Sequence, residues 1–135
     1  MIVSSSVSQL GIACSCPVTL PAERQAVNAI LQDASLVFVG KVSASMLPTL
    51  RLPKRSFRFD IQENFKGAIG QSVVVYSALS SAECGTTVAS GKTYLVVAYG
   101  SVNAPLIHAC ERPAEVEFAS ERLTILRERR ARRGT

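Results

Sequence analysis

Cys14-Ser15-Cys16-Pro17 holds two of the four cysteines of this 135-residue chain, and the other two, Cys84 and Cys110, lie far along the sequence. Alternate residues of an extended segment project to the same face, and a bridge between two such neighbours would strain the disulfide. Each cysteine of the strip is therefore expected to pair with a distant one. Two pairings satisfy this condition: Cys14 with Cys84 and Cys16 with Cys110, or the crossed alternative. In the chain-entropy model each bridge contributes roughly 4 to 5 kcal/mol.

Structural disulfides are the favoured role of these cysteines. Zinc sites usually bring their cysteines as paired C-x2-C motifs, whereas this chain has one C-x-C motif and two isolated cysteines. A zinc site and a redox-active thiol are therefore the weaker alternatives. Because disulfides persist in oxidising compartments, we expect the protein to be secreted or periplasmic.

Residues 1–13 are interpreted as the remnant of a signal peptide. They contain no basic residue, but Gly11 and Ala13 are small residues where a signal peptidase would read them if it cut before Cys14. The simplest interpretation is the end of a longer signal peptide that begins upstream. A lipoprotein signal fits less well, because Leu10 lies one place too far from Cys14. We therefore divide the chain into residues 1–13, a domain over residues 14–126 and a basic tail over residues 127–135.

The net charge of +5 is concentrated in this tail, where five arginines and Glu128 together carry +4. A basic run of this kind is usually solvated, and this one lacks the interleaved aromatic residues of nucleic-acid-binding segments. We consider a polyanion a candidate partner of the tail, and nucleic-acid binding is not expected. Since no stretch of about 18 apolar residues occurs, no transmembrane helix is expected either.

Short apolar runs separated by turn residues predict about five strands between two helices. Phe57, Phe59 and Ile61 alternate with polar residues, and Gly40 inside the first strand predicts a bulge or bend. Antiparallel strands with helices at the ends favour a small closed barrel, which removes exposed strand edges, over an open sandwich. The predicted helices cover residues 21–32 and 113–130, and the predicted strands cover residues 36–42, 56–62, 72–77, 94–99 and 102–110.

No catalytic constellation stands out in the sequence. His108 is the only histidine, so a Ser/His or Cys/His enzyme would have to use it, yet it lies in an apolar stretch near Cys110. A structural histidine is the favoured interpretation. Glycine-rich phosphate loops and suitably spaced carboxylate pairs are likewise missing. We predict that the protein is not an enzyme and uses no cofactor.

Six short motifs in order resemble the netrin-like domain, and within it the N-terminal inhibitory domain of tissue inhibitors of metalloproteinases (TIMPs). The resemblance extends from residue 14 to about residue 126 and implies a mainly β fold, an OB-like five-stranded closed barrel with a short N-terminal helix and a C-terminal helix. It also implies the pairing of Cys14 with Cys84 and of Cys16 with Cys110. The motifs are Cys14-Ser15-Cys16-Pro17, Val37-Phe38-Val39-Gly40-Lys41-Val42, Phe65-Lys66-Gly67, Cys84-Gly85, Gly91-Lys92-Thr93-Tyr94-Leu95 and Cys110.

The resemblance further implies a protease-binding ridge. In the inhibitors the amine and carbonyl of the N-terminal cysteine chelate the catalytic zinc of the protease, and the next side chain enters its main specificity pocket. Cys14 and Ser15 would play these roles here, and Cys14 can do so only as the first residue, because an acylated nitrogen is not an amine ligand. We expect a secreted metalloprotease inhibitor, with a non-inhibitory netrin-like binding module for protein or polyanion partners as the alternative. The ridge would comprise Cys14, Ser15, Cys16, Pro17, Ala82, Glu83 and Cys84.

Overall fold

The computed structural model describes residues 22–51, 54–68, 70–77, 88–108 and 110–133. These residues form two α-helices, six strands and one 3-10 turn. In chain order they are α1 (Glu23–Asp33), β1 (Leu36–Met46), β2 (Arg55–Lys66), β3 (Ser72–Ser77), β4 (Thr93–Tyr99), β5 (Leu106–Ile107), β6 (Ala114–Glu115), the 3-10 turn (Val116–Phe118) and α2 (Ser120–Arg133).

Strands β1 to β5 form a closed barrel in the order β1-β2-β3-β5-β4, and pairing of β4 with β1 completes the ring. The predicted mainly β, OB-like barrel with one helix on each side of it in sequence is therefore confirmed. The prediction that all strands are antiparallel is wrong at one place, because β3 and β5 run parallel where Tyr76 pairs with Leu106. Strand β6 lies outside the ring and pairs with β4 at Tyr94 and Leu95.

Two hydrophobic cores result from the alternation of side chains along the strands. In β1, for example, Phe38 points into the barrel, whereas Val37 and Val39 on either side of it face the helices. The inner core is formed by Leu36, Phe38, Val42, Phe57, Phe59, Ala68, Val75, Tyr94, Val96, Ala98 and Ile107. The outer core is formed by Val27, Ile30, Ala34, Val37, Val39, Phe65, Leu95, Val97, Ala119, Leu123, Ile125 and Leu126.

The bulge predicted at Gly40 is confirmed, since the register between β1 and β2 shifts between Val39 and Gly40. A Cβ atom at this position would lie 3.0 Å from Phe38 Cε2 and 3.0 Å from Phe59 Cβ. The two phenylalanine rings already meet edge to face, with their centroids 5.6 Å apart. A larger residue here would therefore need these side chains to move by a few tenths of an ångström.

Strand β4 agrees with its predicted bounds to within one residue, whereas β1 and β2 extend four residues beyond their predicted ends. Strand β3 covers the predicted residues 72–77, but β5 is limited to Leu106–Ile107 because residues 101–104 form a turn. Helix α2 begins seven residues later than predicted, because β6 and the 3-10 turn precede it. Ala22 precedes α1 without a side-chain cap, and the predicted cap Thr19 lies outside the described residues.

Residues 127–133 of the predicted basic tail continue helix α2. Arg127 and Arg130 donate hydrogen bonds to the carboxylate of Glu63 on β2, and Arg133 Nη2 donates to the carbonyl of Phe65 at 2.6 Å. This helical segment is stabilised because β2 supplies both the Glu63 carboxylate and the Phe65 carbonyl as acceptors. No helix in the described part of the chain is long and apolar enough to cross a membrane.

Candidate functional site

The residues of the predicted ridge, at positions 14–17 and 82–84, lie outside the described residues. The structure does describe the chain that leads into and out of these segments. Three places matter: the start of α1 after residue 21, the end of β3 before residue 78, and the segment that follows β5 and contains Cys110. Their relative positions decide whether the predicted ridge can be assembled.

The parallel pairing of β3 and β5 places two of these segments side by side. Tyr76 pairs with Leu106, and the Tyr76 amide donates to the carbonyl of Pro105 at 2.9 Å. Because parallel strands run in the same direction, the chain leaves β3 after Ser77 and β5 after Ile107 at adjacent points. The first segment leads toward residues 82–84 and the second toward Cys110.

Arg122 on α2 connects the third segment to this region. Its Nε donates to Glu23 Oε1 at 3.0 Å, and its Nη1 lies 3.4 Å from Glu111 Oε2. Glu23 is the first residue of α1, and Glu111 directly follows Cys110. The start of α1 is therefore held beside the residue that follows Cys110.

Tyr99 completes the hydrogen-bond network at Glu111. Its hydroxyl donates to Glu111 Oε1 at 2.7 Å. Burial, and then the hydrogen bond to the Glu111 carboxylate, raise the pKa of Tyr99 above its usual value. The phenol therefore stays protonated and keeps donating throughout the physiological range. Together, Tyr99 and Arg122 fix the orientation of the carboxylate next to Cys110.

Cys110 is an exposed residue, and it is not a free thiol. Its pairing with Cys16 stays a prediction, because the other three cysteines lie outside the described residues. The Cys110 amide donates to His108 Nδ1 at 3.1 Å, and the His108 ring meets Tyr99 edge to face at 6.2 Å. His108 therefore contacts a backbone amide and an aromatic ring.

A cavity of about 410 Å³ opens between the starts of α1 and α2, beside this network. Glu23, Arg122 and Glu121 supply its charged lining, and Leu95 and Phe118 supply apolar surface. Among the residues that the structure describes, no group of three or more histidine, cysteine or acidic side chains could hold a metal ion. The cavity is thus a depression with charged and apolar walls on this side of the molecule.

The Arg122 network has no local signal in the sequence. Glu23 lies 99 positions from Arg122, so no spacing pattern connects them, and Arg122 looks like one more exposed helix residue. No protein-family model and no curated protein matches the chain. The site is therefore described by its geometry and by the motifs in the sequence.

Proposed function

We propose that this protein is a netrin-like inhibitor of zinc metalloproteases that acts through the ridge at residues 14–17 and 82–84. The observation that supports the proposal best is the convergence of three chain segments at one place on the barrel. The parallel β3 and β5 bring two of them together, and Arg122 holds the third beside Cys110. A ridge built from residues distant in sequence needs such a convergence.

The two predicted disulfides are compatible with this arrangement. Cys16 lies seven residues before Glu23, whose carboxylate is bound to the same arginine as that of Glu111. A bridge from Cys16 to Cys110 would then close between chain segments that are already neighbours. A bridge from Cys14 to Cys84 would join the strip to the segment that leaves β3. Both ends of the strip would be fixed by the barrel.

The proposed mechanism needs a rigid amine ligand. A catalytic zinc keeps one coordination position open for water, and a neutral amine can displace that water. The α-amino group of a chain that begins at Cys14 has a pKa near 8 in model peptides, so an appreciable neutral fraction exists at pH 7. Because the strip would be held by the barrel, little conformational entropy is lost on binding. Ser15 then enters the specificity pocket next to the zinc.

The polyanion-binding alternative is weakened by the position of the C-terminal arginines. Arg127 and Arg130 are paired with Glu63, and Arg133 is bound to a backbone carbonyl. A polyanion would have to compete with these contacts. The described structure therefore favours the arginines as a means of attaching α2 to the barrel.

The experiment compares the protein beginning at Cys14 with a form carrying one additional alanine before it, against a panel of zinc metalloproteases. We expect the first form to inhibit and the second to be inactive, since its Cys14 nitrogen is acylated. Ser15→Gly should weaken inhibition and change selectivity among proteases, because it empties one pocket and leaves the zinc ligand in place. An alanine added after Thr135 is the matched control and should change nothing.

Disulfide mapping by non-reducing digestion and mass spectrometry accompanies the assay, so that only correctly paired protein is compared. The proposal is refuted if the form beginning at Cys14 inhibits no protease in the panel. Equal inhibition by the alanine-extended form would also refute it, since zinc chelation by the amine would then play no part.

A further inference from the structure

Strand β1 continues beyond its last pairing with β4. Strand β1 pairs with β4 only from Leu36 to Lys41, whereas its pairing with β2 continues to Met46. Residues 43–46 of β1 therefore have β2 as their one strand neighbour in the described sheet. At 3.3 Å per residue, this extension is about 13 Å long before the connecting loop begins. Strand β2 stays paired with β3 as far as Arg55, so the hairpin tip, which we define as residues 46–51 and Lys54, lies at this end of the sheet.

Large apolar side chains are exposed on this tip. Leu50 is fully exposed, Leu47 is 72% exposed, and Met46 just before them is also exposed. Single exposed apolar residues are common, but three within five positions at the end of one hairpin form a patch.

The same hairpin is positively charged. From residue 34 to residue 59 the sequence contains no acidic residue, and five basic residues, among them Arg51 and Lys54 at the tip, lie in this stretch. Both are exposed, and neither forms an ion pair with a residue that the structure describes. The neighbouring strand β3 carries no acidic residue either. The positive charge of the tip is therefore not neutralised by its own sheet.

We propose that the hairpin tip binds the surface of an anionic phospholipid bilayer. Leu47 and Leu50 enter the boundary between head groups and acyl chains, and Arg51 and Lys54 contact the lipid phosphates. Apolar and cationic side chains in one element are the combination that binds to membrane interfaces. The proposal does not depend on protease inhibition, since the tip connects β1 to β2 and includes none of the ridge residues.

A bilayer fits this surface better than an acidic protein does. An exposed leucine needs a preformed pocket on a protein partner, whereas a fluid bilayer accepts it without one. An acidic protein would satisfy Arg51 and Lys54 but would leave Leu47 and Leu50 in water. Only a partner that is both anionic at its surface and apolar beneath it matches all four side chains.

The test is co-sedimentation of the full chain with vesicles of phosphatidylglycerol mixed with phosphatidylcholine, and with vesicles of phosphatidylcholine alone. We expect binding to the anionic vesicles only. The double variant Leu47→Ser, Leu50→Ser should bind at least about tenfold more weakly, because two apolar side chains no longer leave water. Arg51→Gln should weaken binding about fivefold, which is the effect of one cation near an anionic surface.

Matched controls lie elsewhere on the molecule. Val102→Ser changes an apolar residue that is 61% exposed near the opposite end of β4, and Arg24→Gln removes an exposed cation on α1. Both should bind anionic vesicles like the unchanged protein. Thermal melts of all variants show whether the fold is retained, which is expected because the replaced leucines are exposed.

Two outcomes would overturn the proposal. One is failure of the unchanged protein to bind anionic vesicles. The other is equal binding by the leucine double variant, especially if soluble polyglutamate competes with the vesicles. That result would show that charge alone is recognised and would favour an acidic protein as the partner.

Discussion

Replacement of Glu63 by glutamine should destabilise the fold, because this one carboxylate attaches the end of α2 to the barrel. Glu63 accepts hydrogen bonds from Arg127 Nη2 at 2.7 Å, from Arg127 Nε at 3.1 Å and from Arg130 Nη2 at 2.9 Å. Glutamine keeps a similar shape and one oxygen acceptor but loses the charge. The two arginines would then face each other, one turn apart, without a shared counter-ion.

The expected loss of unfolding free energy is about 1 to 2 kcal/mol. Hydrogen bonds to charged groups contribute about 1.5 to 3 kcal/mol each when shielded, but exposed ion pairs contribute only about 0.2 to 1 kcal/mol. Glu63 is partly buried, whereas Arg127 and Arg130 are each about half exposed, so the lower part of the range applies. For a domain of this size such a loss lowers the melting temperature by about 3 to 8 °C.

The effect should depend on pH with a definite sign. The hydrogen bond from Arg127 lowers the pKa of Glu63, while burial opposes this shift and Arg130 adds to it. A lowered folded-state pKa gives stability that is fully present above the unfolded-state pKa of about 4.3 and is lost as the pH falls through the folded-state value. Unchanged protein and Glu63→Gln should therefore differ at pH 7 and become alike at about pH 2.

Urea denaturation of both proteins at the two pH values measures this difference. Asp60→Asn is the matched control, because Asp60 is an exposed carboxylate on the same strand that forms no ion pair with any described residue. The reasoning is wrong if both substitutions have the same effect at pH 7, since net charge alone would then explain it. A difference that persists undiminished at the acidic pH would also contradict it.

Two further predictions concern the fold. Truncation after Leu126 should lower the melting temperature by more than Glu63→Gln does, because it also removes the guanidinium of Arg130, which lies 4.9 Å from the ring centroid of Phe65. An unchanged melting temperature would instead support the interpretation of these residues as a solvated tail. Gly40→Ala should lower the unfolding free energy measured in urea by about 1 to 3 kcal/mol, as expected for overpacking. The control Ser45→Ala, at an exposed position of the same strand, should have little effect. Equal urea midpoints for the unchanged protein and Gly40→Ala would show that the phenylalanine rings can move apart.

The barrel was predictable because its strands carry local patterns. Alternation at Phe57 and Phe59 shows which side of β2 is buried, and one glycine in an apolar run marks the bulge in β1. These signals lie within single elements, where side-chain period and backbone geometry are directly related. Closure of the barrel followed from the need to cover strand edges, and that prediction is confirmed.

The contacts between distant elements were not predictable in the same way. Residues 102–110 look like one apolar strand, but a turn occupies their first part and leaves Val102 exposed. Nothing near Arg127 in the sequence indicates that Glu63, 64 positions away, would bind it. The candidate ridge was reached from motifs alone, and the Arg122 network beside it depends on how the helices pack on the barrel.

The position of β5 in the chain has a consequence for the order of folding. Strands β1, β2 and β3 follow one another as antiparallel neighbours and need only short loops to pair. Strand β5 must return to β3 across 30 positions and contributes only two residues, so it adds few hydrogen bonds against a large loss of chain entropy. Its docking is then a late step. Before that step, the chain leaving β3 and the chain around Cys110 are not neighbours, so the predicted convergence of the four cysteines at one place would require a barrel that has already closed.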